Sequence, residues 1–192
     1  MTIHVNPETD ALLIVDVQRD FCPGGALAVP QGDRIVPAIN RLLGMTQWVA
    51  VATRDWHPPD HCSFKAQGGI WPAHCVADTD GAAFHPELRV SQIRHVVSKA
   101  VTRDSEAYSG FQGTDLAQLL RTSEIRRVFV CGLATDYCVK ATALDARHAG
   151  LDVVVIEDAI RGVEVHPGDC AAALAEMRVA GIAFACAADL IL

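Results

Sequence analysis

Short apolar runs alternate with amphipathic stretches along this chain, and the alternation predicts strands and helices in turn. Ala11-Leu12-Leu13-Ile14-Val15-Asp16-Val17 is a continuous apolar run broken by one carboxylate. That is the pattern of a parallel strand buried on both faces, with Asp16 at its C-terminal end. A loop from Gln18 to Gln31 containing Pro23-Gly24-Gly25 leads to a helix predicted over Asp33–Met45, whose Ile35, Val36, Ile39, Leu42 and Leu43 share one stripe. Trp48–Thr53 reads as the second strand and delivers Arg54-Asp55-Trp56-His57 to its end.

Periodicity is lost from Pro58 to Pro86, where Pro, Gly, His and Asp dominate and Phe64, Trp71 and Phe84 are interleaved with His61, His74 and His85. A loop of that length in a compact domain is usually functional or disordered, and this content favours function. Arg94–Lys99 reads as the third strand, with Lys99 at its end. A polar loop through Tyr108-Ser109-Gly110-Phe111 precedes a helix near Thr114–Thr122. Val128–Cys131 is the next strand, broken by Gly132, and Thr135 or Asp136 is placed to cap a helix running to Gly150. Leu151–Glu157, a helix over Pro167–Ala180 and a strand over Ile182–Cys186 complete the pattern. Regular alternation predicts a three-layer α/β/α sandwich around a mostly parallel sheet of about six strands, in a single domain over residues 1–192. No internal repeat or low-complexity segment interrupts it.

Composition narrows the function classes. With 192 residues, 51% of them apolar, the chain can cover a core on two faces. A net charge of −7 with scattered Lys and Arg argues against a nucleic-acid surface. Residues 1–10 show no basic segment followed by an apolar one. The apolar C-terminal stretch from Cys170 is interrupted by Glu176, Arg178 and Asp189. Both readings predict a cytoplasmic protein without a membrane partner. Seven cysteines without a compact framework of spacings fit reduced thiols there.

The candidate chemistry collects at predicted strand ends, where parallel sheets bind ligands. Asp16, Asp55, Lys99 and Cys138 all fall there, on separate elements. Each alone is commonly a cap, a surface pair or a core filler; an acid, a base and a thiol at one edge together have a task. Cys138 lies in the first turn of its helix, whose unpaired N–H groups and positive dipole end favour a thiolate and a neighbouring oxyanion. Burial would raise the Asp16 pKa and Lys99 would lower it, so the sequence leaves the protonation states open. A second constellation is Asp55-x-His57 with His61 and His74, one carboxylate with two or three imidazoles, which suits a divalent Zn, Fe or Mn ion. A rival pairing of His61-Cys62 with His74-Cys75 as a structural zinc site leaves Asp55 and His57 without a role. No G-x-G-x-x-G or Walker loop follows a strand, which sets a nucleotide-binding role aside. A metal-binding or thiol-redox module without catalysis is the alternative from another class, with Cys22 and Cys131 as its resolving thiols.

Asp16-Val17-Gln18-Arg19-Asp20-Phe21-Cys22, Asp55-Trp56-His57-Pro58, Trp71-Pro72-Ala73-His74-Cys75-Val76, Phe84-His85-Pro86, Lys99, Ala107-Tyr108-Ser109-Gly110-Phe111 and Gly132-Leu133-Ala134-Thr135-Asp136-Tyr137-Cys138-Val139 occur in this order across nearly the whole chain. Together they resemble the nicotinamidase (pyrazinamidase) branch of the isochorismatase-like cysteine hydrolases. Leu133 stands where that branch commonly has Ile, and Ala100 where it commonly has Gly.

The resemblance implies a triad of Asp16, Lys99 and Cys138, an oxyanion hole from the N–H groups of Ala134 and Cys138, and a cis Leu133–Ala134 bond. It further implies a divalent metal on Asp55, His57, His61 and His74, no organic cofactor, and nicotinamide held by Phe21, Trp71 and Tyr108. Hydrolysis would pass through a thioester and serve NAD salvage. Related folds often pair through surface helices, so a homo-oligomer is compatible with the chain. A relative acting on a small carbamoyl or ureido amide would keep the triad but is not expected to carry this metal set, and isochorismate hydrolysis leaves Cys138 without a part.

Overall fold

The computed structural model describes residues 2–45 and 48–192; Met1, where the N-terminal stretch begins, lies outside them. Its strands are β1 (Ile3–His4), β2 (Asp10–Val15), β3 (Val49–Asp55), β4 (His95–Lys99), β5 (Arg127–Leu133), β6 (Asp152–Arg161), β7 (Ala183–Ala185) and β8 (Leu190–Ile191). The helices are α1 (Val36–Met45), α2 (Leu116–Thr122), α3 (Lys140–His148) and α4 (Asp169–Val179). A six-stranded sheet in the order β4-β3-β2-β5-β6-β7 forms the middle layer, and β1 pairs with β8 in a separate ribbon. Every pairing in the sheet is parallel.

Strand β2 is buried along its whole length because it is flanked on both sides, by β3 and β5, and covered on both faces. Alternation along it sorts the core: Leu12 and Ile14 join the cluster containing Ile35, Ile39 and Leu42, which lies under α1. Ala11, Leu13 and Val15 join the one containing Leu116, Ala143 and Met177, from α2, α3 and α4. This is the expected three-layer sandwich.

The differences from the predicted elements have local causes. The helix expected from Asp33 begins as a 3-10 turn over Gly32–Ile35 and becomes α-helical at Val36. Pro37 lacks an N–H, and its ring would collide with the Asp33 carbonyl one α-turn back. Strand β6 runs to Arg161, past the exposed Glu157 and Asp158 where the apolar run stops. A bulge lets Ile160 and Arg161 pair with Gly132 and Leu133. Neither Thr135 nor Asp136 caps a helix: residues Thr135–Val139 form a π turn entered from Ala134, and α3 follows at Lys140. The Asp136 carboxylate instead accepts N–H bonds from Val163 and Glu164 at 3.0 and 2.7 Å. The β1/β8 ribbon went unpredicted because two residues carry no period.

Strand order decides the site. The chain builds leftward from β2 to β3 and β4, then crosses to β5 on the other side of β2. The reversal opens a crevice at the carboxyl ends of β2 and β5, where open parallel sheets bind ligands. Gly132, opposite Val15 in the register, adopts φ 120°. A Cβ there would lie 2.0 Å from the Val15 carbonyl oxygen. Gly132→Ala is therefore expected to cost about 4 kcal/mol or more, measured as a shift in chemical denaturation midpoint at constant slope.

Candidate active site

Four neighbouring strands bring the expected residues together. Asp16 follows β2, Asp55 ends β3, Lys99 ends β4, and Cys138 sits in the π turn beyond β5. Asp55 and Lys99 are direct partners in the β3/β4 register. Lys99 Nζ lies 3.0 Å from Asp16 Oδ2, hydrogen-bonds Asp55 Oδ1, and is 3.5 Å from Cys138 Sγ. It also donates to the Ala107 carbonyl at 3.0 Å, which ties the Tyr108 loop to the sheet edge. Asp16 takes a further hydrogen bond on Oδ1 from Thr53 Oγ1 at 2.7 Å. The Leu133–Ala134 peptide is cis, as the resemblance implied. Ala100, where the resembling branch commonly has Gly, adopts φ 51°, a region that glycine enters without strain.

Burial and charge set the protonation states left open above. Burial raises the Asp16 pKa; the Lys99 ammonium opposes that rise and the Asp55 carboxylate adds to it. Asp55 is also disfavoured by burial, but Lys99 and His57 outweigh it and hold that carboxyl well below the usual range. Burial works against the charge on Lys99, yet the two carboxylates reverse the effect and hold it as an ammonium. Cys138 is pushed up by burial, with Lys99 opposing and Asp16 and Asp55 adding to the rise. Burial therefore favours the protonated Cys138 thiol, with the Asp16 carboxyl close beside it, over the thiolate that the helix terminus was expected to favour.

The long loop from Pro58 is ordered by pairing with the end of β3. His57 N–H donates to the Cys75 carbonyl at 3.0 Å and Ala77 N–H to the His57 carbonyl at 2.8 Å, which draws His74 up to His57. Phe64 is wedged among the imidazoles, its ring centroid 5.3, 5.7 and 5.6 Å from those of His57, His61 and His74. Asp55, His57 and His74 each offer one ligand atom, all within 4.8 Å of one another. Both ring nitrogens of His57 are buried without a hydrogen-bond partner. His74 Nδ1 donates to the Pro72 carbonyl at 2.8 Å, the second contact that metal-binding histidines usually make. These orphaned nitrogens, with one carboxylate, fit a divalent metal ion.

His61 stands apart. Its ring stacks 4.3 Å from that of His57, but Nδ1 contacts Ser63 Oγ at 2.8 Å and Nε2 the Ser105 carbonyl at 3.1 Å. The rival cysteine-containing site is not assembled: among the described residues, neither converging group of ligands includes Cys62 or Cys75.

The pocket above Cys138 is lined by Ala134, Asp55, His74, Phe21, Trp71 and Tyr108, so all three expected aromatics reach it. Trp71 Nε1 donates to Tyr108 Oη at 3.0 Å, and Tyr137 meets the Trp71 ring edge-on at 5.2 Å. Sequence reasoning missed Leu27, Glu106, Tyr137 and Val163 on this wall. It also missed the fully buried Gln18 beneath it. Only Tyr137, beside Cys138, carried a positional signal.

The Isochorismatase domain family matches residues 10–189. The chain belongs to this family. It is 43% identical over 203 residues to a nicotinamidase of Escherichia coli (strain K12), covering 93% of this chain and 95% of that protein. PnC1 from L. infantum, solved in complex with nicotinate, superposes with a TM-score of 0.95 at 40% identity, covering 100% of this chain and 99% of that one. The pyrazinamidase of Pyrococcus horikoshii, solved in complex with zinc, gives 0.87 at 50% identity, covering 94% and 99%.

Within this isochorismatase fold, Gln18 holds the metal-side loop. It donates to the Asp55 and Ala82 carbonyls at 2.8 and 2.9 Å, and accepts from Asp55 N–H at 2.8 Å. Gln18→Ala leaves these buried groups unpaired and is expected to cost about 3 kcal/mol. It should also weaken affinity for an added divalent metal by roughly 10- to 100-fold. Thermal unfolding and competitive chelator titration read the two effects separately.

Proposed function

We propose that this chain is a metal-containing cysteine amidohydrolase that converts nicotinamide, and pyrazinamide, to the corresponding acid and ammonia. The observation that carries the reading is that Cys138, Asp55 and His74 line one pocket, with the Asp16 carboxyl within 4.8 Å of the Cys138 sulfur and His57 completing the Asp55/His57/His74 ligand set behind it. The similarity to nicotinamidases and pyrazinamidases over nearly the whole chain supports the substrate.

In this reading Asp16 takes the Cys138 proton as Sγ bonds to the carboxamide carbon, and the carbonyl electrons move onto oxygen beside the N–H groups of Ala134 and Cys138. Lys99 stays charged and neutralises the site while the proton is on Asp16. The C–N bond then breaks, Asp16 returns its proton to nitrogen, and ammonia leaves a thioester on Cys138. Asp16 next deprotonates a water that adds to the thioester, and the departing sulfur recovers the proton as the acid is released. Phe21 and Trp71 flank the flat ring, and Tyr108 fixes the Trp71 edge. Asp55, His57 and His74 would hold Zn, Fe or Mn, with His61 joining by exchanging its Ser105 contact. When bound, that ion supplies a Lewis-acidic anchor for the pyridine nitrogen at the end of the slot opposite the thiol.

A role in NAD salvage follows from this chemistry. Cytoplasmic placement is supported by the free state of all seven cysteines. Among the described residues, no helix is long and apolar enough to cross a membrane.

Purified protein is expected to release ammonia from nicotinamide, to lose that activity on chelation and to regain it with added metal. Cys138→Ala should lower kcat by at least about a thousandfold. A metal-replete wild type that releases none overturns the substrate assignment and turns the search to ureido amides. Thr53→Val removes a hydrogen bond that favours the Asp16 carboxylate, so the Asp16 pKa rises. The acid limb of kcat/KM should then move to higher pH, read from the pH profile.

A further inference from the structure

A second set of ligand atoms converges beside the first. Asp16, Asp55 and Cys138 each offer one atom, and these three also lie within 4.8 Å of one another. All three residues are buried, and Asp55 belongs to both groups. Asp16 Oδ2, in a side chain with no solvent exposure, has the Lys99 ammonium as its ion-pair partner at 3.0 Å. Two carboxylates and a thiolate attract zinc-like ions strongly, and sulfur is the softest donor in the pocket. An ion reaching Asp55 therefore has two destinations. One of them would blunt the nucleophile, because coordination draws electron density from the sulfur and blocks its approach to carbon.

We propose that Lys99 closes this second cluster to divalent cations, in addition to its part in the reaction. Its ammonium sits 3.0 Å from Asp16 Oδ2 and 3.5 Å from Cys138 Sγ, and hydrogen-bonds Asp55 Oδ1. An ion placed among the same three atoms would meet Nζ, and like charges that close in a buried site repel strongly. An ammonium has no lone pair with which to join a coordination shell. It is also pinned in place, because Nζ donates to the Ala107 carbonyl at 3.0 Å. Lys99 is thus a built-in monovalent cation that directs metal to the imidazoles and leaves the sulfur for carbon. The inference rests on the assignment of the resident ion to Asp55, His57 and His74.

Cobalt(II) titration with absorption spectroscopy tests it on the intact protein. Cobalt-loaded wild type is expected to show ligand-field bands without a thiolate-to-cobalt charge-transfer band, and iodoacetamide should still alkylate Cys138. Lys99→Met should acquire the charge-transfer band and lose it again when Cys138→Ala is added. Cobalt should also slow alkylation of Cys138 in Lys99→Met by at least about tenfold. Lys99→Gln gives the same readout if Lys99→Met does not fold. A folded uncharged variant without the band overturns the proposal, as does a wild-type band at excess cobalt that Cys138→Ala abolishes. His57→Ala separates the two readings. If it leaves the wild-type ligand-field bands intact, the resident-ion assignment falls and this inference with it. If it removes them while the uncharged variants lack the thiolate band, only the role of Lys99 fails.

Discussion

One buried ammonium organises the sheet edge that carries the candidate site. Lys99 carries no side-chain exposure and is surrounded by Asp16, Asp55, Cys138 and the Ala107 carbonyl. Two carboxylates in a dry site would repel each other and take up protons; with a cation between them, Asp55 remains ionised and Asp16 is kept from rising further. Isolated buried charges are costly, and this group is tolerated because each member offsets the desolvation of another. In the proposed reaction, a cysteine whose thiol is held up by burial stays usable because the Asp16 carboxyl lies beside it and takes the proton as sulfur bonds to carbon.

The same edge separates two donor chemistries that share Asp55. Imidazoles and one carboxylate oxygen face the long loop, and sulfur faces the cis peptide and the π turn. In the proposed reaction, a flat molecule between them is held by one set and attacked by the other. The aromatic walls restrict it further: Trp71, Tyr108 and Tyr137 brace one another through a hydrogen bond, an edge-on contact and a tilted one, so their positions are set before anything enters.

Polar residues that touch no reacting group hold this geometry. Gln18 fastens the backbone of Asp55 to the far end of the long loop. Asp20 accepts from Cys75 N–H at 2.7 Å and Ala26 N–H at 3.1 Å, joining the segment that carries Phe21 to the residue after His74. Together they make an otherwise aperiodic loop a fixed wall of the pocket.

Much of the fold was legible in the chain, because strands buried on both faces must be apolar throughout and helices on a sheet must carry a stripe. Alternation of the two implies a parallel sheet, and chemistry placed after apolar runs implies a site at its carboxyl edge. The motifs around Asp16, Asp55, Lys99 and Cys138 pointed to residues that the structure brings together at that edge for the same reason. What the chain alone did not contain was adjacency. Strand order put β4, β3, β2 and β5 side by side, and that order depends on which faces and edges pair, information spread over the whole core. The environment of His61, the contributions of Gln18, Leu27, Glu106 and Val163, and the resting state of the Cys138 thiol likewise came only from tertiary structure. Each depends on distances between segments far apart in sequence, and the strength of a charge or hydrogen bond is set by burial that no local pattern encodes.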